Sequence, residues 1–86
     1  MICVLINGSD DLKSRVLRVL ADARTKGAKH ITLIFRGSLS EVFEKFRDVS
    51  ELFIDIGVRL YVAKTGDEQE LGRILAAEKC VDIYNL

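Results

Sequence analysis

Proline and tryptophan are absent from this chain, which has one histidine, one methionine and two cysteines. Without proline no turn is fixed by a ring and no helix is broken from within. Glycine has to punctuate the chain instead. A single histidine, His30, leaves no pair for metal ligation, and no metal is expected. Cys3 and Cys80 are too far apart in sequence to read as a disulfide framework or a zinc site. Neither is placed as a nucleophile. Cys3 sits inside an apolar run, where a thiol acts as a small hydrophobe, and Cys80 precedes the last strand. No apolar run approaches membrane-spanning length, and the start lacks a signal peptide's basic-then-apolar pattern. The expectation is a cytoplasmic protein with no membrane contact. An excess of either charge is also missing: 13 Lys and Arg balance 13 Asp and Glu, which argues against nucleic acid as a partner. Only two Asn and one Gln occur, a usage like that of thermophiles. Neither GxGxxG nor GxxxxGK[ST] is present, so the common nucleotide fingerprints are missing and no cofactor is expected.

What is present is a repeated unit. Ile2-Cys3-Val4-Leu5-Ile6 is apolar without alternation, the pattern of a strand buried on both faces at the centre of a parallel sheet. Asn7-Gly8-Ser9-Asp10-Asp11 then turns into a helix over about 11–26, capped by Ser9 or Asp10. Leu12, Val16, Leu20 and Ala23 form its apolar stripe, and Gly27 ends it. The second unit is His30–Phe35, the turn Arg36-Gly37-Ser38, and a helix over about 39–55 with the capping box Ser38-x-x-Glu41. The third is Val58–Ala63, the turn Lys64-Thr65-Gly66-Asp67, a second capping box from Thr65 to Glu68, and a helix over about 67–79. Val81–Tyr84 alternates like a half-exposed edge strand. Eighty-six residues give one domain.

The β-α-β-α-β-α-β pattern predicts a three-layer α/β/α domain with a four-stranded parallel sheet. The expected order is 2-1-3-4, as in flavodoxin-like folds. That order puts the first helix alone on one face, leaving bare sheet beside it over the third and fourth strands. Apolar residues there need cover, and a second copy is the cheapest source. A homo-oligomer is therefore expected.

All three strand-to-helix turns should emerge at one end of the sheet. Asn7, Gly8, Ser9, Arg36, Gly37, Ser38, Lys64, Thr65 and Gly66 gather there with three helix N-termini. Their free N–H groups and two basic side chains suit a small anionic or phosphate-bearing ligand. The same residues also serve as ordinary caps and turns. No catalytic residue is assigned. Asn7 stands where a phosphatase-like loop needs a cysteine, and no Asp ends another strand as a phosphate acceptor.

The segment Ile56-Gly57-Val58-Arg59-Leu60-Tyr61-Val62, after Ile31-Thr32-Leu33-Ile34-Phe35-Arg36-Gly37 and a long helix, resembles the DsrE/DsrH-like sulfur-relay family. The resemblance implies a small flavodoxin-like domain that assembles into oligomers. Some members carry persulfide on a cysteine just after the third strand. Here Ala63, Lys64 and Thr65 occupy that place, so the resemblance implies a partner subunit rather than a sulfur carrier.

Overall fold

The structure is a computed structural model that describes residues 1–8 and 10–86. Among them, strands β1 (Ile2–Ile6), β2 (His30–Arg36), β3 (Gly57–Ala63) and β4 (Asp82–Asn85) alternate with helices α1 (Leu12–Thr25), α2 (Leu39–Val49) and α3 (Glu68–Ala77). All strand pairs are parallel. β1 is central, as its unbroken apolar run requires, and all five of its residues are buried.

The strand order is β3-β2-β1-β4, which corrects the expected 2-1-3-4. From β1 the chain steps to β2 and on to β3 in one direction. Right-handed crossovers put the helices of two such steps on the same side. Leu12, Val16, Val19, Leu20 and Ala23 of α1 and Val42 and Val49 of α2 accordingly share one core with Ile2, Val4, Ile6, Ile31, Leu33 and Phe35. The chain then returns past β2 and β1 to lay β4 on the far edge, so α3 falls on the other side. Leu71 and Ile74 of α3 pack there with Cys3, Leu5, Ile34 and Ala63. The expected grouping of the second and third helices on one face is thus replaced. The bare sheet predicted beside the first helix is not found there, because α2 shares that side.

The α3 side holds the only buried polar side chains among the described residues, Thr32 and Glu78. The Glu78 carboxylate accepts from the Thr32 hydroxyl (3.2 Å) and from the Arg59 guanidinium (2.9 Å). Cys3, Thr32 and Arg59 lie in one row across β1, β2 and β3. At the β1 end of that row Cys3 is disulfide-bonded to Cys80, with the Cα atoms 5.7 Å apart. The cysteines, expected to be unlinked, become neighbours because β4 pairs with β1. In the order 2-1-3-4, β3 would have stood between them.

Element ends differ from the sequence reading in instructive ways. α2 stops at Val49 and gives way to a 3-10 turn, Ser50–Leu52, although apolar spacing continued to residue 56. Gly57 opens β3 instead of closing a helix, and the His30 ring occupies the space where a Cβ at 57 would sit. The Ser38 half of the capping box forms: its hydroxyl accepts from the Glu41 N–H (3.4 Å), while the Glu41 carboxylate accepts from that hydroxyl (2.9 Å). α3 is capped by Asp67, which accepts from the Glu70 N–H (3.1 Å), rather than by Thr65. At α1, Asp11 holds the N-cap position with φ 60° and no side-chain hydrogen bond. Asp10 is not the cap, and Ser9 lies outside the described residues. β4 is tied to α1 through Tyr84, whose hydroxyl donates to Asp22 (3.0 Å) and accepts from Lys26 (3.4 Å).

Candidate functional site

Because β1, β2 and β3 are adjacent and parallel, the turns that follow them leave the same end of the sheet. The structure joins two of them closely. The Gly37 N–H donates to the Ala63 carbonyl (3.3 Å), and the Arg36 guanidinium donates to the Lys64 carbonyl (3.4 Å). Gly37, Ser38 and Lys64 line a groove of about 460 Å³ with Leu39, Val62 and Glu70. Thr65 and Gly66 are exposed beside it.

The turn after β1 looks elsewhere. The Asn7 N–H donates to the Leu86 carbonyl (3.2 Å), toward β4. Gly8 has φ 86°, a left-handed conformation that glycine adopts cheaply, and the Lys45 ammonium of α2 lies against it. Asn7 and Gly8 are therefore not on the groove made by the other two turns. Ser9, a further candidate, lies outside the described residues.

Much of the anion-binding equipment is already engaged. Arg36 donates to the Glu68 carboxylate at 2.9 Å, with its own side chain only 10 % exposed. Its Nε is buried without an acceptor among the described residues. The Ser38 hydroxyl is held within the first turn of α2. Glu68 and Glu70 place negative charge beside Lys64, which weakens attraction for an anion.

A second cleft, about 650 Å³, opens where α1 begins beside α2. Asp10, Asp11, Asp48 and Glu51 line it against Lys13, Lys45 and Arg47, so neither sign prevails. The Lys13 ammonium hydrogen-bonds Glu51. That bond raises the Lys13 pKa above the ordinary lysine value and lowers that of Glu51 below the ordinary carboxylate value.

Sequence reasoning missed Lys45, Glu68 and the Thr32–Glu78–Arg59 cluster. Lys45 had a signal: it lies three residues after Val42 and four before Val49, on the buried stripe of α2. Glu68 reads from the sequence as a capping partner, and its bond to Arg36 depends on where α3 docks. Among the described residues no group of three or more His, Cys, Asp or Glu side chains gathers as a metal site. No family model matches the chain, and no curated protein or solved structure does so either.

Proposed function

We propose that this chain is a non-catalytic α/β module that works as a homo-oligomer or as a subunit of a larger assembly. The resemblance to DsrE/DsrH-like partner subunits implies the same role. The observation that carries the reading is the set of eight uncovered large apolar side chains among the described residues, with Met1, Leu17, Val81 and Ile83 on other parts of the molecule and four between α2 and β3. Leu39 and Phe43 of α2, Ile54 of the connection and Leu60 of β3 are all exposed, Ile54 by 89 %. Isolated exposed apolar residues are ordinary. Four on α2, β3 and the segment joining them favour an interface. The test is native mass spectrometry of the purified protein. Dimers or higher oligomers support the homo-oligomer, and a monomer at micromolar concentration overturns it and leaves only the subunit of a larger assembly.

A second reading is a binding module for a small anion at the groove of Gly37, Ser38 and Lys64, with Thr65 at its rim. The exposed Lys64 on the groove, beside the Gly37 turn that opens α2, favours it. Thermal unfolding in inorganic phosphate against chloride at equal ionic strength tests it. Stabilisation lost in both Lys64→Ala and Arg36→Ala supports the site, and no stabilisation of the wild type removes it. The cytoplasmic placement also stands as a proposal. Low Asn and Gln together with the Cys3–Cys80 bridge fit the cytoplasm of a heat-loving organism, where protein disulfides persist. Among the described residues no helix is long and apolar enough to cross a membrane.

A further inference from the structure

The two edges of the sheet are unequally protected. β4 is four residues long and carries Asp82 and Asn85. β3 is seven residues long, Gly-Val-Arg-Leu-Tyr-Val-Ala, with one charge and no proline. Long, apolar, unblocked edges are what proteins avoid unless something pairs with them.

The backbone of β3 shows which groups await a partner. The Gly57 N–H donates to the Lys29 carbonyl, and the Ala63 carbonyl accepts from Gly37. Both contacts point toward β2. Alternation along a strand then turns Arg59 and Tyr61 the same way and leaves Val58, Leu60 and Val62 outward. Each of these three presents one N–H and one C=O to the open edge.

We infer that two copies of the chain join through β3, antiparallel about Leu60, to form one continuous sheet. The inference rests on the oligomer reading above and names its surface. Leu60 is the midpoint of Gly57–Ala63, so a two-fold axis there overlaps the whole strand. Val58 then faces Val62 of the second copy, and Leu60 faces its own copy. Every outward N–H meets an outward C=O. On the opposite face of the sheet, Arg59 falls across from Tyr61 of the second copy, cation beside aromatic ring. Arg59 is oriented for this by Glu78, yet its side chain remains 66 % exposed.

Other registers are poorer. An axis at Arg59 sets two guanidinium groups opposite each other, which repels. An axis at Tyr61 moves Val58 off the strand, opposite Lys64. A one-residue slip sets outward groups against inward ones.

Light scattering after size exclusion, over a range of protein concentrations, tests this on three proteins. Wild type should be a dimer. Leu60→Lys, which puts two ammonium groups at the axis in place of buried leucines, should weaken association by roughly a hundred-fold or more. Its circular dichroism should match the wild type, because residue 60 is exposed in the single chain. Leu60→Cys, oxidised and digested, should give a peptide linked to itself at position 60. The Cα separation of about 5.5 Å in a hydrogen-bonded antiparallel pair suits a disulfide. A dimer that survives Leu60→Lys and gives no such linkage overturns the seam while leaving the oligomer reading intact. A wild-type monomer overturns both. If Leu60→Lys fails to fold, the self-linked peptide decides alone.

Discussion

On the α1–α2 side of the sheet, two helices bury a continuous set of apolar side chains around Leu33 and Phe35, and among the described residues no polar side chain is buried there. On the α3 side a single ten-residue helix contributes Leu71 and Ile74 as its buried apolar residues. That side is fastened by a disulfide and by a buried carboxylate held between Thr32 and Arg59. The comparison teaches how a small sheet manages unequal cover. Where two helices supply apolar area, burial suffices. Where one does, cross-links and charge-assisted hydrogen bonds make up the difference.

The largest effect should come from removing the cross-link. The bridge joins residues 77 apart in sequence, and closing a loop of that size is worth about 4.5 kcal/mol in the chain-entropy account. Cys3→Ala/Cys80→Ala should lose that amount in urea unfolding, as should reduction of the wild type. A loss under about 1 kcal/mol would mean that the α3 side stands on its packing, against the comparison drawn here. Leu33→Ala, on the other side, should cost about 3 kcal/mol in oxidised and reduced protein alike, because it removes packing alone. Glu78→Gln keeps an acceptor for Thr32 and gives up the ion pair with Arg59. Its cost should be about 1 kcal/mol, against about 2 kcal/mol for Glu78→Ala, which leaves the Thr32 hydroxyl buried without a partner.

The smallest effect concerns the surface ion pairs that tie α1 to the segment before β3. Arg24, hydrogen-bonded to Asp55 at 2.9 Å, holds that carboxyl below its ordinary pKa, as Lys13 does for Glu51. Their contribution is present above the ordinary carboxylate pKa and lost as pH falls through the lowered one. Lys13 acts in the opposite range. Its contribution is present below the ordinary lysine pKa and lost as pH rises through the raised one. Asp55→Asn should flatten part of the acid limb of a stability–pH curve, and 1 M salt should erase the difference from wild type.

Which elements form was legible, because β1, β2 and β3 are rich in apolar residues and each strand-to-helix turn carries glycine. The half-exposed character of β4 was legible from its alternation. The order of the strands was not. An apolar run such as Ile2–Ile6 says that a strand is central without saying which neighbours flank it, and the α3 connection reaches either edge equally well. Two errors followed from that one. The disulfide was missed because Cys80 reaches Cys3 only if β4 lies against β1. The side left with one helix was misassigned because its identity depends on the same order. The overlong second helix has a different origin: Phe53 and Ile56 kept helical spacing, but the chain must leave the helix for Gly57 to pair with His30. At the site, the grouping of Arg36, Gly37, Ser38 and Lys64 was readable from the alternation of strands and turns. The capture of Arg36 by Glu68 was not, since it depends on how α3 docks.

The pairing of β1 with β4 also bears on when the molecule can be completed. β1 is made before the other three strands and sits inside the sheet, yet β4, one of its two neighbours, is made after β2 and β3. Helices and the three strands β1, β2 and β3 can form from contacts closer in sequence, which is faster. The flank of β1 stays open until residues 82–85 have emerged, and Cys3 has no partner until Cys80 has been made. A nascent chain therefore carries the unpaired edge of an apolar strand until β4 has emerged. Rapid closure after β4 appears, or cover by a chaperone until then, is what keeps that edge from pairing with another chain.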